Sequence, residues 1–296
     1  FSPQGLANVT WAFAVLAAET EPHNLWLAIA QAASAQSEDF KIQELSNLLW
    51  SFATLRVGHV PLFMMAAKRS LSSAEQFNSQ DLANLAWAFA KSDVKDEAFL
   101  AAAAERAVVQ AGQLSEQNLA SLVWAFATLS VRHETFLRKA AVEAVVKMQE
   151  FTPQGLSNLA WAFATSEFRE RALFQAVAAT TLTAASSLDG LKAFSPQHLC
   201  NLSWAFASLT VDDHGVLRAL SAEAEQRLHE FSPQGLASLA WALVKSAVAA
   251  QGCLQAIASE AVHAAGEMNS QDLSNLAWAL ASSSAAAPEL FEVVAD

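Results

Sequence analysis

The sequence predicts an all-α fold, a right-handed α-solenoid of about eight two-helix repeats. One tryptophan recurs as Trp11, Trp50, Trp87, Trp124, Trp161, Trp204, Trp241 and Trp278, at separations of 39, 37, 37, 37, 43, 37 and 37 residues. A period in that range marks stacked supersecondary units, each burying its apolar face only against its neighbours. Helix start signals precede every tryptophan at the same distance. Hydrophobic residues make up 53% of the chain, enough for a continuous core and too many for disorder.

Counted from ten residues before each tryptophan, the units are 1–39, 40–76, 77–113, 114–150, 151–193, 194–230, 231–267 and 268–296, a single array over 1–296 whose last unit is incomplete. Positions below are numbered within these units. Phe1 already stands in register and Asp296 falls inside the eighth unit, so both ends read as cut from a longer array with no targeting segment in view. The two extra residues of the first unit are expected in an Ala17 to Asn24 turn, which aligns Trp26 with Phe63 and Phe174 as a core residue of a second helix. The six extra of the fifth unit fall around Thr180 to Ala193, where Ser186, Ser187, Asp189 and Gly190 mark a loop.

Each unit opens on a cap. Ser2, Asn78, Ser115, Thr152, Ser195, Ser232 and Asn269 have side chains that accept from helix N–H groups. Pro3, Pro153, Pro196 and Pro233 follow at the first helical position, where a missing N–H costs little. Asn78 with Asp81 and Asn269 with Asp272 resemble reciprocal caps, while Lys41 breaks the pattern. The first helix of each unit, helix A, should run to about Thr54-Leu55 or Thr128-Leu129. A polar turn then leads into helix B, for example Glu97 to Gln110 or Glu134 to Lys147.

Helix A carries unlike stripes. In the fifth unit Leu156, Leu159, Ala160 and Phe163 form a side that must be buried, with Gln154, Asn158, Trp161 and Thr165 nearly opposite. Small residues such as Ala162 and Ala164 let neighbouring helices approach closely. Helix B has one apolar stripe, such as Phe99, Leu100, Ala103 and Ala107, on an alanine-rich background.

The run Phe-x-Pro-Gln-x-Leu-[Ser/Ala]-Asn-Leu-x-Trp-Ala-Phe-Ala, clearest from Phe151 to Ala164, resembles the heptatricopeptide repeats, relatives of the octotricopeptide and pentatricopeptide helical hairpins. The resemblance covers essentially the whole chain, although no RAP domain follows the array within these residues. It implies a non-catalytic organellar protein of the mitochondrion or plastid that binds RNA. The role implied is stabilising or processing a transcript, or holding ribosomal RNA in a ribonucleoprotein. The rival expectation is a protein-interaction scaffold, a peripheral subunit of a large organellar assembly. The formal charge of −12 and pI near 5.0 oppose non-specific attraction to nucleic acid and favour the scaffold.

Glutamine holds position four in all eight units: Gln4, Gln43, Gln80, Gln117, Gln154, Gln197, Gln234 and Gln271. Such uniformity reads as a structural ladder, each amide serving a neighbouring repeat's backbone while the tryptophans fill the seam, since a column reading different bases should vary. Position fifteen does vary, and Thr54, Thr128, Thr165, Ser208 and Lys245 are candidate RNA contacts there. Position five, Gly5, Glu44, Asp81, Asn118, Gly155, His198, Gly235 and Asp272, reads as helix N-terminal solvation. Lys95, Arg132 and Arg169 share a register in the turns between helices A and B, with Arg56, Lys91 and Arg171 nearby. Stacking would align them as a basic edge for a phosphate backbone, ending where Asp212 and Asp213 reverse the sign.

No cofactor, metal, membrane insertion or small-molecule substrate is expected. Cys200 and Cys253 lie in different units without metal-ligand spacing and read as small core residues. His59, His133 and His214 sit near one turn position with no nucleophile, carboxylate pair or phosphate loop beside them, which points to capping rather than catalysis.

Overall fold

The computed structural model describes residues 1–16, 23–211 and 213–283. Among them are fifteen α-helices and no strand. By packing, the chain divides into two units, Phe1–Val146 and Lys147–Asp296. The first holds α1 (Pro3–Val15), α2 (His23–Ala35), α3 (Ile42–Thr54), α4 (Val60–Leu71), α5 (Ser79–Lys91), α6 (Glu97–Gln110), α7 (Glu116–Thr128) and α8 (Glu134–Val146). The second holds α9 (Pro153–Thr165), α10 (Arg171–Ala185), α11 (Pro196–Ser208), α12 (His214–Glu225), α13 (Pro233–Lys245), α14 (Gln251–Ala264) and α15 (Ser270–Ser283). Odd-numbered helices are the A-helices and even-numbered ones the B-helices, in the order a stack of helical hairpins requires.

The A-helices start where their caps place them. Ser2, Asn78, Ser115, Thr152, Ser195, Ser232 and Asn269 each accept from the backbone N–H three residues on, at 2.8–3.3 Å. At α3 a lysine cannot accept, and the Glu44 carboxylate instead takes the Lys41 N–H at 2.9 Å. Each of the six A-helices α3 to α13 ends with a residue in the left-handed region: Arg56, Asp93, Ser130, Glu167, Thr210 and Ala247, with φ of 49–56°. The next N–H reaches back to the carbonyl five residues earlier, as in Val94 to Phe89 at 2.9 Å and Val248 to Leu243 at 3.1 Å. This is a Schellman closure, here without its usual glycine.

Within each unit helices pack two apart in sequence, α1 on α3, α3 on α5 and α5 on α7 in the first, α9 on α11, α11 on α13 and α13 on α15 in the second. The B-helices stack in the same order but touch far less, so the A-helices line the tighter, inner side of each stack. Small residues at positions 7, 10 and 14 make the close approach possible; Ala83, Ala86 and Ala90 of α5 are buried in this way. The core between layers is aromatic. Phe126 meets Phe136 edge-on at 5.2 Å, and Phe89 stacks on Phe99 at 4.6 Å. Trp26 is 6% exposed and lies edge-on to both Phe13 and Phe52, as a core residue of α2.

The fifth repeat's insertion forms a turn after α10, with Gly190 at φ 58°. Of the Ala17 to Asn24 turn expected for the first repeat's two extra residues, 17–22 lie outside the described residues, as does Asp212.

Candidate nucleic-acid interface

With three sides of an A-helix taken by neighbours and core, one side remains. It carries positions four, eight, eleven and fifteen. All eight position-four glutamines are exposed, which corrects the expected ladder. Gln197 and Gln271 donate within their own helices, to Asn201 Oδ1 at 2.7 Å and Asn275 Oδ1 at 2.9 Å, rather than to the backbone of a neighbouring repeat. Uniformity at this position therefore reflects a uniform surface and not a buried bond.

The tryptophans divide their surface. Trp50, Trp87, Trp124, Trp161, Trp204 and Trp241 are half-buried, whereas Trp11 and Trp278 are 49% and 45% exposed. Trp50 and Trp87 lie 6.4 Å apart and Trp161 and Trp204 6.5 Å apart, tilted by 32° and 35°. That spacing is direct ring contact, so nothing sits between the members of a pair. Each ring packs against its neighbour and offers its remaining surface to the open face.

Position fifteen is mixed. Thr54 turns its hydroxyl back to the Trp50 carbonyl at 2.8 Å, and the hydroxyls of Thr165 and Ser208 are buried without a partner. These three are corrected from candidate contacts to helix-facing groups. Thr128, Lys91 and Lys245 are exposed at the same position and remain on the open face.

The basic edge is broken by carboxylates. Lys95 is exposed between Asp93 and Asp96, the latter capping α6 through the Phe99 N–H at 2.8 Å. Arg132 pairs with Glu134 at 3.4 Å, and both side chains are more than half exposed. In the second unit Arg169 donates to Thr210 Oγ1 at 2.9 Å, flanked by Glu167 and Glu170. Arg169 and Arg171 border an open cleft of about 370 Å³ whose walls also include Glu170 and Asp213. Arg56 is exposed at the left-handed end of α3. Cations and anions alternate along these turns, so no continuous positive track follows within either unit.

Carboxylates spare the A-helices instead. Among the described residues only Glu44, Asp81, Glu116 and Asp272 are acids on A-helices, all in first turns, and Asp81 and Asp272 are buried. None occupies the open stripe, while Lys91 and Lys245 do. Among the described residues the other carboxylates lie on the B-helices and turns, and the A-face is a neutral to slightly basic surface of amides and ring edges.

Other basic side chains serve the fold. Arg106 and Gln110 of α6 donate to the Phe77 carbonyl at 3.3 and 2.7 Å, Arg69 of α4 to Phe40, and Arg227 to Phe194 at 2.9 Å, each closing a hairpin onto its own first residue. Hydrogen bonds and charge from Glu230 and Glu223 raise the Arg227 pKa further. Sequence reasoning passed over these residues because they stand at two different registers and their partner is a main-chain oxygen. His59 and His133 accept through Nδ1 from Leu62 N–H at 3.1 Å and Phe136 N–H at 3.2 Å, as caps of α4 and α8. Burial pushes the thiols of Cys200 and Cys253 up to about 12, and Cys200 Sγ donates to the Gly235 carbonyl at 3.2 Å. Among the described residues no helix is long and apolar enough to cross a membrane.

Together these features define a helical-repeat protein whose A-helices present, in each unit, an open stripe rich in amides and aromatics and free of carboxylates. The sequence matches the RNA-editing substrate-binding complex 6 protein family over residues 3–287, and the chain belongs to that family. No curated protein matches it. The family shares the helical-repeat class with the resemblance described above; the narrower heptatricopeptide or octotricopeptide type is not what it names.

Proposed function

We propose that the chain is a non-catalytic, RNA-binding subunit of an organellar RNA-editing substrate-binding complex. Single-stranded RNA lies along the A-helix face of each unit. The observation that carries this reading is the carboxylate-free stripe repeated on every A-helix, exposed glutamine beside partly exposed tryptophan with asparagine or serine between them, within a family named for binding an editing substrate. Amide groups beside aromatic edges suit unpaired bases, whose hydrogen-bonding edges and faces are both accessible. The family favours editing substrates over ribosomal RNA as the ligand and says nothing for a plastid. A second reading, a scaffold for protein subunits, draws on the B-helices of the first unit. Val109, Val142, Val145 and Val146 are exposed on α6 and α8, an apolar patch on the side away from the RNA face.

Fluorescence anisotropy with a single-stranded oligoribonucleotide across a salt series tests the proposal. Binding at low salt should be lost when Gln43→Glu, Gln80→Glu and Gln117→Glu together place carboxylates on the stripe of the first unit. Neutralising Lys95 and Arg132 should change it little, because adjacent acids already offset both. No binding at low salt would remove the RNA reading and leave the scaffold. Binding that survives the glutamate variants but fails without Lys95 and Arg132 would move the RNA to the turns.

A further inference from the structure

The B-helices of the two units share a register but not a surface. Near their C-terminal ends the first unit exposes Val109 of α6 at 74% and Val146 of α8 at 75%, with Leu71 of α4, Val142 and Val145 exposed beside them. At the register of Val109 and Val146 the second unit carries Thr183, Gln226 and His263, all exposed. Among the described residues no B-helix of that unit exposes a large apolar side chain. The hairpin thus folds with polar residues at this register, and the valines contribute little to its packing. Valine is also a weaker helix former than glutamine. A surface kept apolar against both solubility and helix propensity marks a contact surface.

Geometry and charge narrow what this surface meets. Leu71, Val109 and Val146 stand at matching places on three successive B-helices, and helices packed side by side lie about 10 Å apart. Residues i and i+7 of an α-helix are also about 10 Å apart along its axis, so the apolar stripe of one helix laid across the row meets each in turn. Lys68, three residues before Leu71, and Lys139, three before Val142, are exposed and have no carboxylate partner among the described residues. The acids of α6 and α8 nearest the row are engaged or withdrawn: Glu105 bonds to His133 at 3.2 Å and Glu143 is half-buried. Glu75, beyond α4, offsets one of the two cations. The row keeps an apolar centre and a positive rim. Its apolar area, roughly 400 Å², is about half of what each partner gives a stable dimer, which suits a single helix rather than a second copy of the chain.

We propose that the B-helix face of the first unit docks an amphipathic helix of a partner protein, with apolar anchors at i, i+7 and i+14 and acidic residues beside them. The anchors seat against Leu71, Val109 and Val146, and the acids meet Lys68 and Lys139. This rests on the scaffold reading of the valine patch and is independent of RNA.

Two labelled amphipathic peptides of about 20 residues, one of leucine and glutamate and one of leucine and lysine with the same apolar stripe, test this by fluorescence anisotropy. The acidic peptide should bind with a Kd of about 1–100 µM, and the basic one at least about tenfold more weakly. That order is the reverse of what the net charge of −12 alone favours, so bulk attraction does not imitate it. Val109→Gln with Val146→Gln, the residue type that Gln226 supplies at this register, should raise Kd about tenfold or more while the far-UV circular dichroism stays that of the parent. Lys68→Glu with Lys139→Glu should weaken the acidic peptide and not the basic one. Preference for the basic peptide through the same valines would keep a docking face and overturn the acidic partner. Binding of neither peptide, or binding indifferent to the valines, overturns the face itself. Co-sedimentation with phosphatidylcholine–phosphatidylglycerol vesicles that the valine variant abolishes would give the face to lipid and overturn the proposal as well.

Discussion

Ala247 offers a test of how the A-helices are terminated. It holds φ 51° after α13, exposed, with its N–H bonded to the Val244 carbonyl at 3.0 Å and the next N–H to Leu243 at 3.1 Å. That left-handed conformation costs an L-residue about 1–2 kcal/mol. Glycine removes the cost but brings about 0.4–1 kcal/mol of extra unfolded-state freedom. Ala247→Gly should therefore stabilise the second unit by about 0.5–1 kcal/mol. With a urea slope of about 2 kcal/mol/M, the midpoint should rise by about 0.2–0.5 M. Ala222→Gly, exposed within α12 of the same unit, is the control and should lower stability by about 1 kcal/mol. Urea titrations followed by far-UV circular dichroism compare the two. If both substitutions lower the midpoint alike, the Schellman closure does not hold residue 247 where it is described.

Phe126→Ala, removing a ring that is 1% exposed and edge-on to Phe136, should cost about 3–5 kcal/mol in the same titration; a loss below about 1 kcal/mol would mean that the aromatic pairs do not hold the layers together. His198 gives a pH dependence. Its Nδ1 accepts the Ser195 N–H at 3.2 Å, and burial lowers its pKa from the usual 6.5. A depressed folded-state pKa means that the stability it confers is complete above 6.5 and is lost as pH falls through the lower folded value. The urea midpoint should drop on acidification across that window, and His198→Gln, which keeps an acceptor without titrating there, should flatten the drop. An unchanged slope in the variant would assign the acid sensitivity elsewhere.

The features legible in the sequence are those whose causes are local. The caps at Ser2, Asn78 or Thr152 bond to an N–H three residues away, so a short window records both partners. The ends of α3 and α7 at Thr54 and Thr128 fall where the apolar pattern stops. Trp26 shares its repeat register with Phe63 and Phe174, and all three are buried. The left-handed residues were illegible for the opposite reason. Glycine is the usual sign of that conformation, and Arg56, Asp93, Ser130, Glu167, Thr210 and Ala247 share no side-chain chemistry. What they share is the closing bond beyond them, from Val57, Val94, Val131, Phe168, Val211 and Val248, an apolar column visible only once the repeats are superposed.

The site shows how a true bulk number can point the wrong way. A net charge of −12 weighs against RNA only if charge is spread evenly, because a polyanion responds to the potential of the surface it meets. Sorting carboxylates by repeat position rather than counting them leaves four on A-helices, all at positions three and five and none on the stripe of positions four, eight, eleven and fifteen. The turns show the converse. Lys95, Arg132 and Arg169 align in register, but each has a carboxylate two residues away, Asp93, Glu134 and Glu167, and sign alternation cancels what a list of cations suggests. Position fifteen then separates residues of one chemistry by their hydrogen bonds. Thr54 spends its hydroxyl on the Trp50 carbonyl, whereas Thr128, in the same register, stands exposed on the face. If RNA lies along the stripe as proposed, discrimination among bases falls to the few positions, Thr128, Lys91 and Lys245 among them, where repeats differ and the side chain also reaches solvent.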